Sequence, residues 1–287
     1  MCRKITEIIS GTQKFTYSFE LTPDINVEDI ENLEIDPLFY SITWHAKLYA
    51  FENLDIAPLR LVEKLRNKKK TVLLHLSCDK LRTVYLDKIL DYLKSKGVCN
   101  LFVLLGEGFD ANSSDFKSTS ELISYIRKHS GNYFCIGVAG HCEKEASIGN
   151  LKEKVNSGAD FILTQAFFDA DIFKSFYTKC RSEGIVIPII PGVFPYESYQ
   201  EIDKFINTCK ISVEESLVET IKNYGGIDII KGLVHQIYSE MDVKHFHFFT
   251  LNKLERALKI ITIPTSYLVT PPQTYPERRV CINAATS

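Results

Sequence analysis

The sequence predicts an α/β fold, a closed (β/α)8 barrel of the TIM type, from three observations. Short runs rich in β-branched and aromatic residues alternate with amphipathic helical stretches along nearly the whole chain. The runs are continuously apolar, as parallel strands covered on both faces must be. Eight such units fit within about 265 residues, which favours a closed barrel over the alternative, an open doubly wound sheet.

The first strand is expected at 15–21 (FTYSFEL) and the second at 39–43 (FYSIT). A helical pattern ending in Arg66-Asn67-Lys68-Lys69-Lys70 leads into the third, 71–77 (TVLLHLS). That basic cluster reads as a solvated helix end, where the dipole favours cations. The next helix, DKLRTVYLDKILDYLKSKG, carries Leu81, Val84, Leu86, Ile89, Leu90 and Leu93 at helical spacing and stops at Gly97, a good C-cap. Strand four is LFVLL (101–105), followed by the helix SELISYIRKH; strand five is FCIGVA (134–139), followed by NLKEKVNSG. Strand six, FILTQ (161–165), precedes DADIFKSFYTKCRSEG, and strand seven, VIPII (186–190), precedes SYQEIDKFINTCK. An additional helical segment over 212–241 comes before the last strand, HFHFFT (245–250), and the helix LNKLERALKII. Residues 1–262 thus form one barrel, and the tail 263–287, with four prolines and no period, is expected to lie over its surface or to be partly disordered.

Composition narrows the function. With a formal net charge of −2, the chain offers no field of one sign to hold a nucleic-acid backbone or an anionic membrane. No apolar run approaches the ~18–20 residues that span a bilayer, and MCRKITEII lacks the pattern of a signal peptide. Eight scattered cysteines without a CxxC pair predict reduced thiols in a cytoplasmic protein. His245-Phe246-His247 points two imidazoles to one face of a strand, but no matching Asp, Glu or Cys cluster accompanies it, so no metal site is expected. Neither GxGxxG after the first strand nor GxxxxGK[ST] occurs.

Barrel enzymes gather their chemistry at the C-terminal ends of strands. Those ends here carry Glu20, Thr43, His75 with Ser77, Glu107, Ala139 with His141, Gln165, Pro191, and Thr250 with Asn252. Two carboxylates, an imidazole and a primary amide converging on one ring-shaped ligand point to a small-molecule enzyme using acid/base chemistry.

Five segments in order also resemble one family, the methylenetetrahydrofolate reductases. FELTPD (19–24) resembles its FEFFPP opening, and HLSCD (75–79) with LRT (81–83) its HLTC strand and helix. LKEKVNSGADFILTQAFFDADIF (151–173), IPIIPGVFP (187–195) and HFHFFTLN (245–252) are similar to its later blocks, so the resemblance covers residues 15–262. It implies a (β/α)8 barrel and reduction of 5,10-methylenetetrahydrofolate to 5-methyltetrahydrofolate in one-carbon and methionine metabolism. Non-covalent FAD would relay hydride from NADH or NADPH. It further implies a homo-oligomer, and no S-adenosylmethionine-sensing module is expected after the barrel.

By the same resemblance Glu20 is the general acid, and Glu107 is the acid set against the flavin. Gln165 reads the pterin, since a primary amide donates and accepts side by side. Phe167 walls the substrate, Tyr199 stacks on it, and Lys253 stands beside it. Thr43, His75, Leu105, Gly106, Ala139, His141, Asn150 and Lys154 line the flavin, and Lys154 offsets charge on its reduced ring. The chain departs from the family around this cofactor. Leu105-Gly106-Glu107 stands for Arg-Gly-Asp, and Thr43-Trp44-His45-Ala46-Lys47 replaces a glycine-containing turn. The turn Gly140-His141-Cys142-Glu143-Lys144-Glu145-Ala146 is two residues shorter than GYPEGHPEA, Ser147 replaces an aspartate, and TLNR ends in Lys253. Three readings stay open: a FAD-dependent reductase with a remodelled flavin pocket, a barrel binding folate or another ligand without flavin, and a weakly catalytic paralogue that binds or regulates a partner.

Overall fold

The computed structural model describes residues 2–34, 36–45, 48, 53–106, 108–143, 147–209, 211, 213, 215–224 and 226–261. Helix α1 (Ile5–Ser10) opens the chain, followed by β1 (Thr16–Leu21), α2 (Val27–Glu31), β2 (Tyr40–Ile42), α3 (Ala57–Asn67) and β3 (Val72–Ser77). Then come α4 (Thr83–Ser95), β4 (Asn100–Leu104), α5 (Thr119–Ser130), β5 (Cys135–Gly140), α6 (Ser147–Asn156) and β6 (Phe161–Ala166). The order ends with α7 (Ala170–Ser182), β7 (Ile189–Val193), α8 (Tyr199–Cys209), α9 (Glu215–Tyr224), α10 (Gly226–Glu240), β8 (His245–Phe248) and α11 (Leu254–Ile261). The eight strands are parallel and close on one another, β8 pairing with β1 through Thr16 opposite His245. The open sheet is thereby excluded, and the strand-helix alternation is the predicted one. Among the described residues no helix is long and apolar enough to cross a membrane.

Four differences from the sequence reading have physical causes. Strand seven begins at Ile189, not 186, because Val186 is 80% exposed and Pro188 has no amide hydrogen to give the ladder. The segment before the last strand contains two helices, α9 and α10. The helices α1 and α2 have six and five residues, too few for a helical period to emerge from the sequence. Finally, Cys2 and Cys99 form a disulfide with a Cα–Cα distance of 6.0 Å, so the expectation of uniformly reduced cysteines is corrected. Their pairing brings together residues far apart in the chain, which spacing alone does not reveal. The tail 263–287 lies outside the described residues.

The disulfide holds α1 against the floor of the barrel. Ile5 is fully buried there with Phe39, Leu73, Phe102, Phe161 and Ile190. The buried Asn100 ties this segment down, accepting from the Ile5 amide (2.9 Å) and donating to the carbonyls of Arg3 (3.1 Å) and Val72 (3.2 Å). Above this floor the interior turns polar. Ser18 bonds both His245 Nε2 (3.0 Å) and His247 Nδ1 (2.7 Å), and Ser41 bonds His247 Nε2 (3.1 Å). The basic cluster 66–70 is also tied down: Arg66 bonds the carbonyls of Lys70 and Lys96, while Lys68 and Lys70 pair with Glu31 and Asp36.

Candidate active site

Alternation along a strand decides which side chains enter the barrel. On β1 these are Thr16, Ser18 and Glu20; the first two meet the interior histidines, and Glu20 emerges at the top. There it borders a cavity of about 1080 Å³ at the C-terminal ends of the strands. That volume is at the large end for a small-molecule site.

Glu20 is 7% exposed. Its Oε1 accepts a hydrogen bond from the Thr43 hydroxyl (2.9 Å), while Oε2 is buried and has no hydrogen-bond partner among the described residues. Burial pushes its carboxyl pKa up, against the smaller opposing effects of the Thr43 hydrogen bond and the Leu251 backbone. The backbone beneath it is fixed: the Thr250 hydroxyl donates to the Glu20 carbonyl (2.5 Å). Asn252 accepts from the Thr22 amide (2.9 Å) and donates to Asp24 (3.0 Å). Leu251 and Asn252 take the left-handed conformation (φ 46° and 64°) to make this turn. The TLN segment is therefore a clamp between the ends of β8 and β1.

On β3 His75 is 5% exposed and packs on Phe102 (5.0 Å between ring centres), with Nε2 buried and unpartnered among the described residues. Burial, then the nearby His45, lowers its pKa to about 3, so it is a neutral imidazole at physiological pH. The buried His245 is likewise lowered to about 3, and His247 is held well below the ordinary imidazole value, both chiefly by burial. These two serve the interior hydrogen-bond ladder. Among the described residues no group of three or more His, Cys, Asp or Glu is arranged to hold a metal ion.

Between β3 and β4 the wall is built by backbone. Leu105 accepts from the Ser77 hydroxyl (3.2 Å) and the Asp79 amide (3.1 Å). Gly106 has φ +103°, and a Cβ there would lie 2.3 Å from Ser77 Oγ, so only glycine fits. Leu105 presents an apolar, 42% exposed side chain to the cavity. Glu107 lies outside the described residues. Ala139 and His141 line the next stretch, and Asn150 and Lys154 follow from one face of α6. Lys154 is partly buried, which lowers its ammonium pKa, with an opposing effect of Cys78.

Gln165 reaches the cavity from a β-bulge. The β6–β7 register shifts between Leu163, opposite Ile190, and Ala166, opposite Gly192, so β6 carries one extra residue and its side chains are re-aimed. Of the remaining residues singled out from the sequence, Lys253 lines the cavity, whereas Phe167 and Tyr199 do not. Phe167 is fully buried and stacked on Phe173 (5.0 Å) behind the wall. The Tyr199 hydroxyl donates to Asp203 (3.3 Å), and its ring lies under Lys222 (4.7 Å).

Sequence reasoning missed Phe194 and Phe205, which line the cavity with their rings stacked 3.7 Å apart at 7°. It also missed Arg256 and Glu201, joined by a 2.5 Å ion pair at the rim. Helices α8 and α11 supply three of these four, and an amphipathic helix by itself does not say which polar residue turns toward a strand end. Chemically, the cavity is lined by a buried carboxyl with a raised pKa, a neutral imidazole, a primary amide, a stacked aromatic pair and several cations.

Comparisons with known proteins bear on these features. Residues 4–263 match the family described as methylenetetrahydrofolate reductase. The chain is similar to methylenetetrahydrofolate reductase 2 of Schizosaccharomyces pombe, 32% identical over 85% of this chain and 44% of that protein. It is similar to 5,10-methylenetetrahydrofolate reductase of Buchnera aphidicola, 28% identical over 88% of this chain and 92% of that protein. The chain therefore spans less than half of the yeast relative but nearly all of the bacterial one. In fold it resembles a Clostridium thermocellum protein that binds two copies of 5-methyl-5,6,7,8-tetrahydrofolic acid. That likeness has a TM-score of 0.65 at 16% identity and covers 90% of this chain and 96% of that one.

Proposed function

The chain belongs to the methylenetetrahydrofolate reductase family, and on that premise we propose that it reduces 5,10-methylenetetrahydrofolate to 5-methyltetrahydrofolate with NADH or NADPH, through bound FAD. The observation that carries this reading is Glu20: a buried carboxyl at a strand end, with one oxygen held by Thr43 and the other without a hydrogen-bond partner among the described residues. Opening the five-membered ring of the substrate requires a proton on its nitrogen, and a carboxyl whose pKa burial pushes up is suited to deliver it. Thr43 orients the group, and the Thr250–Asn252 clamp fixes its height in the cavity. Gln165, which lines the cavity, would read the paired donor and acceptor of a pterin edge.

The residues present fit a flavin ring. Leu105, Ala139 and Leu163 supply apolar wall, and the buried Nε2 of His75, unpartnered among the described residues, would offer a polar contact. Lys154 and Asn150 would hold the polar edge. Bound FAD supplies the hydride relay. Toward a dinucleotide's phosphates, the hydroxyls of Ser118, Thr119 and Ser120 line the cavity at the N-terminus of the twelve-residue α5, where the helix dipole favours anions.

Support for a folate ligand comes from the family and from the ligand of the Clostridium protein. The test is direct: purified protein incubated with FAD should turn yellow and oxidise NADH or NADPH only when methylenetetrahydrofolate is present. A colourless protein that binds 5-methyltetrahydrofolate without turnover would replace this reading with a folate-binding one. A protein that binds neither flavin nor folate would remove both.

A further inference from the structure

The two histidines of β8 belong to no metal-holding group among the described residues, yet every one of their ring nitrogens meets a hydroxyl. His245 Nδ1 lies 3.0 Å from Thr16 Oγ1, and its Nε2 lies 3.0 Å from Ser18 Oγ. The same Ser18 oxygen lies 2.7 Å from His247 Nδ1, and His247 Nε2 lies 3.1 Å from Ser41 Oγ. Phe39 stacks on both imidazoles, with ring centres 5.3 and 5.8 Å away, which keeps the rings from turning. Ser18, Ser41 and His247 are fully buried, so no water competes for these bonds.

Counting hydrogens gives the chain a direction. The Thr16 hydroxyl donates to the Lys244 carbonyl (3.2 Å), so toward His245 Nδ1 its oxygen can only accept. His245 is neutral and therefore carries its one hydrogen on Nδ1, which leaves Nε2 to accept from Ser18. With the Ser18 hydrogen spent, His247 must donate from Nδ1 to the Ser18 oxygen and accept at Nε2 from Ser41. Each hydrogen is used once, and both imidazoles are Nδ1–H tautomers. The chain also crosses strands in a way that backbone pairing cannot. His247 on β8 stands in register with Ser18 on β1, but its ring reaches past β1 to Ser41 on β2.

We propose that His247 is a positioning residue for Glu20: a crossbar of fixed donor direction that sets the spacing of β8, β1 and β2 beneath the acid. Ser18 and Glu20 are two residues apart on β1, and Ser41 and Thr43 two apart on β2, so each pair shares one face of its strand. The Ser18–His247–Ser41 bridge thus spans, one step toward the floor, the same two strands that the Thr43–Glu20 bond spans at the top. A small change in their separation is passed directly to the direction of the Glu20 carboxyl. The inference rests on the reading of Glu20 as the acid, and it gives the paired histidines of the sequence a task other than holding metal.

The experiment has two arms, both on the full chain. Proton–nitrogen NMR of protein carrying isotopically labelled histidine reads the tautomers, with His245→Gln and His247→Gln assigning the signals. Both rings should carry the hydrogen on Nδ1; Nε2–H at either one overturns the inference. In the second arm, His247→Phe keeps the ring against Phe39 and removes both nitrogens. Its kcat for methylenetetrahydrofolate should fall about 10- to 100-fold, the cost of a misdirected reacting group, while its affinity for 5-methyltetrahydrofolate stays that of wild type. His247→Gln, whose amide can both donate and accept, should recover part of that loss. Ser41→Ala, a milder change, should lower kcat in the same sense and decides this arm should His247→Phe fail to fold. Wild-type kcat in the folded variants, with Glu20→Gln impaired, overturns the inference and leaves the Glu20 reading standing. If wild type shows no folate-dependent turnover, the Glu20 reading falls and the inference falls with it.

Discussion

The Thr43 hydroxyl donates to Glu20 Oε1 at 2.9 Å, while the other carboxylate oxygen is buried with no partner among the described residues. One oxygen is thus fixed in direction and the other presented to whatever enters the cavity. Glu20→Gln keeps the shape and removes the proton. Turnover of methylenetetrahydrofolate should fall by about 10²- to 10⁴-fold, measured as steady-state kcat, with 5-methyltetrahydrofolate still bound.

The same carboxyl makes stability depend on pH. Its folded pKa is raised above the ordinary 4.5, so the folded state holds the proton more tightly than the unfolded chain. Its contribution is fully present below pH 4.5 and is lost as pH rises through the folded value. Glu20→Gln should therefore gain stability relative to wild type above that window and match it more closely in acid. Urea midpoints across the pH range read this difference.

The interior histidines act in the opposite sense. His75 and His245 have folded pKa values of about 3 against an ordinary 6.5, so the unfolded state takes up protons first as pH falls. Stability is intact above 6.5 and lost between 6.5 and 3. Each histidine contributes a slope of at most about 1.4 kcal/mol per pH unit. His245→Gln should flatten the acid limb of the stability curve.

Gly106→Ala should destabilise the protein by about 1–3 kcal/mol, because alanine disfavours positive φ and its Cβ would lie 2.3 Å from Ser77 Oγ. Thermal melting checks the stability, and the affinity for FAD should weaken as the Leu105 wall shifts.

Cys2 and Cys99 close a loop across a sequence separation of 97 and hold α1 on the barrel floor. Reducing agent, or Cys2→Ser, should lower stability by about 2–4 kcal/mol. An unchanged melting temperature on reduction would mean that Ile5 and Asn100 hold α1 without the bridge.

Much of this architecture was legible in the sequence because strands buried on both faces leave continuous apolar runs, and a barrel puts its chemistry where those runs end. That is why Glu20, Thr43, His75 and Gln165 could be singled out and are found bordering one cavity. What could not be read depends on helix rotation. Tyr199 and Phe205 both lie on α8, yet Phe205 turns to the cavity and stacks on Phe194, while Tyr199 turns to Asp203 and Lys222. Arg256 and Glu201 read from sequence as ordinary charges on amphipathic helices, and only their pairing at the rim distinguishes them. The bulge that aims Gln165 leaves no signal in the residues either.

The central claim is that this cavity reduces methylenetetrahydrofolate with a proton held by Glu20. One measurement tests it most directly: NADH or NADPH oxidation by the FAD-supplemented protein, with and without methylenetetrahydrofolate, for wild type beside Glu20→Gln. The account predicts folate-dependent oxidation by wild type and its near loss in the variant. Equal rates in the two proteins, or no folate-dependent oxidation by wild type with either nucleotide, would contradict it.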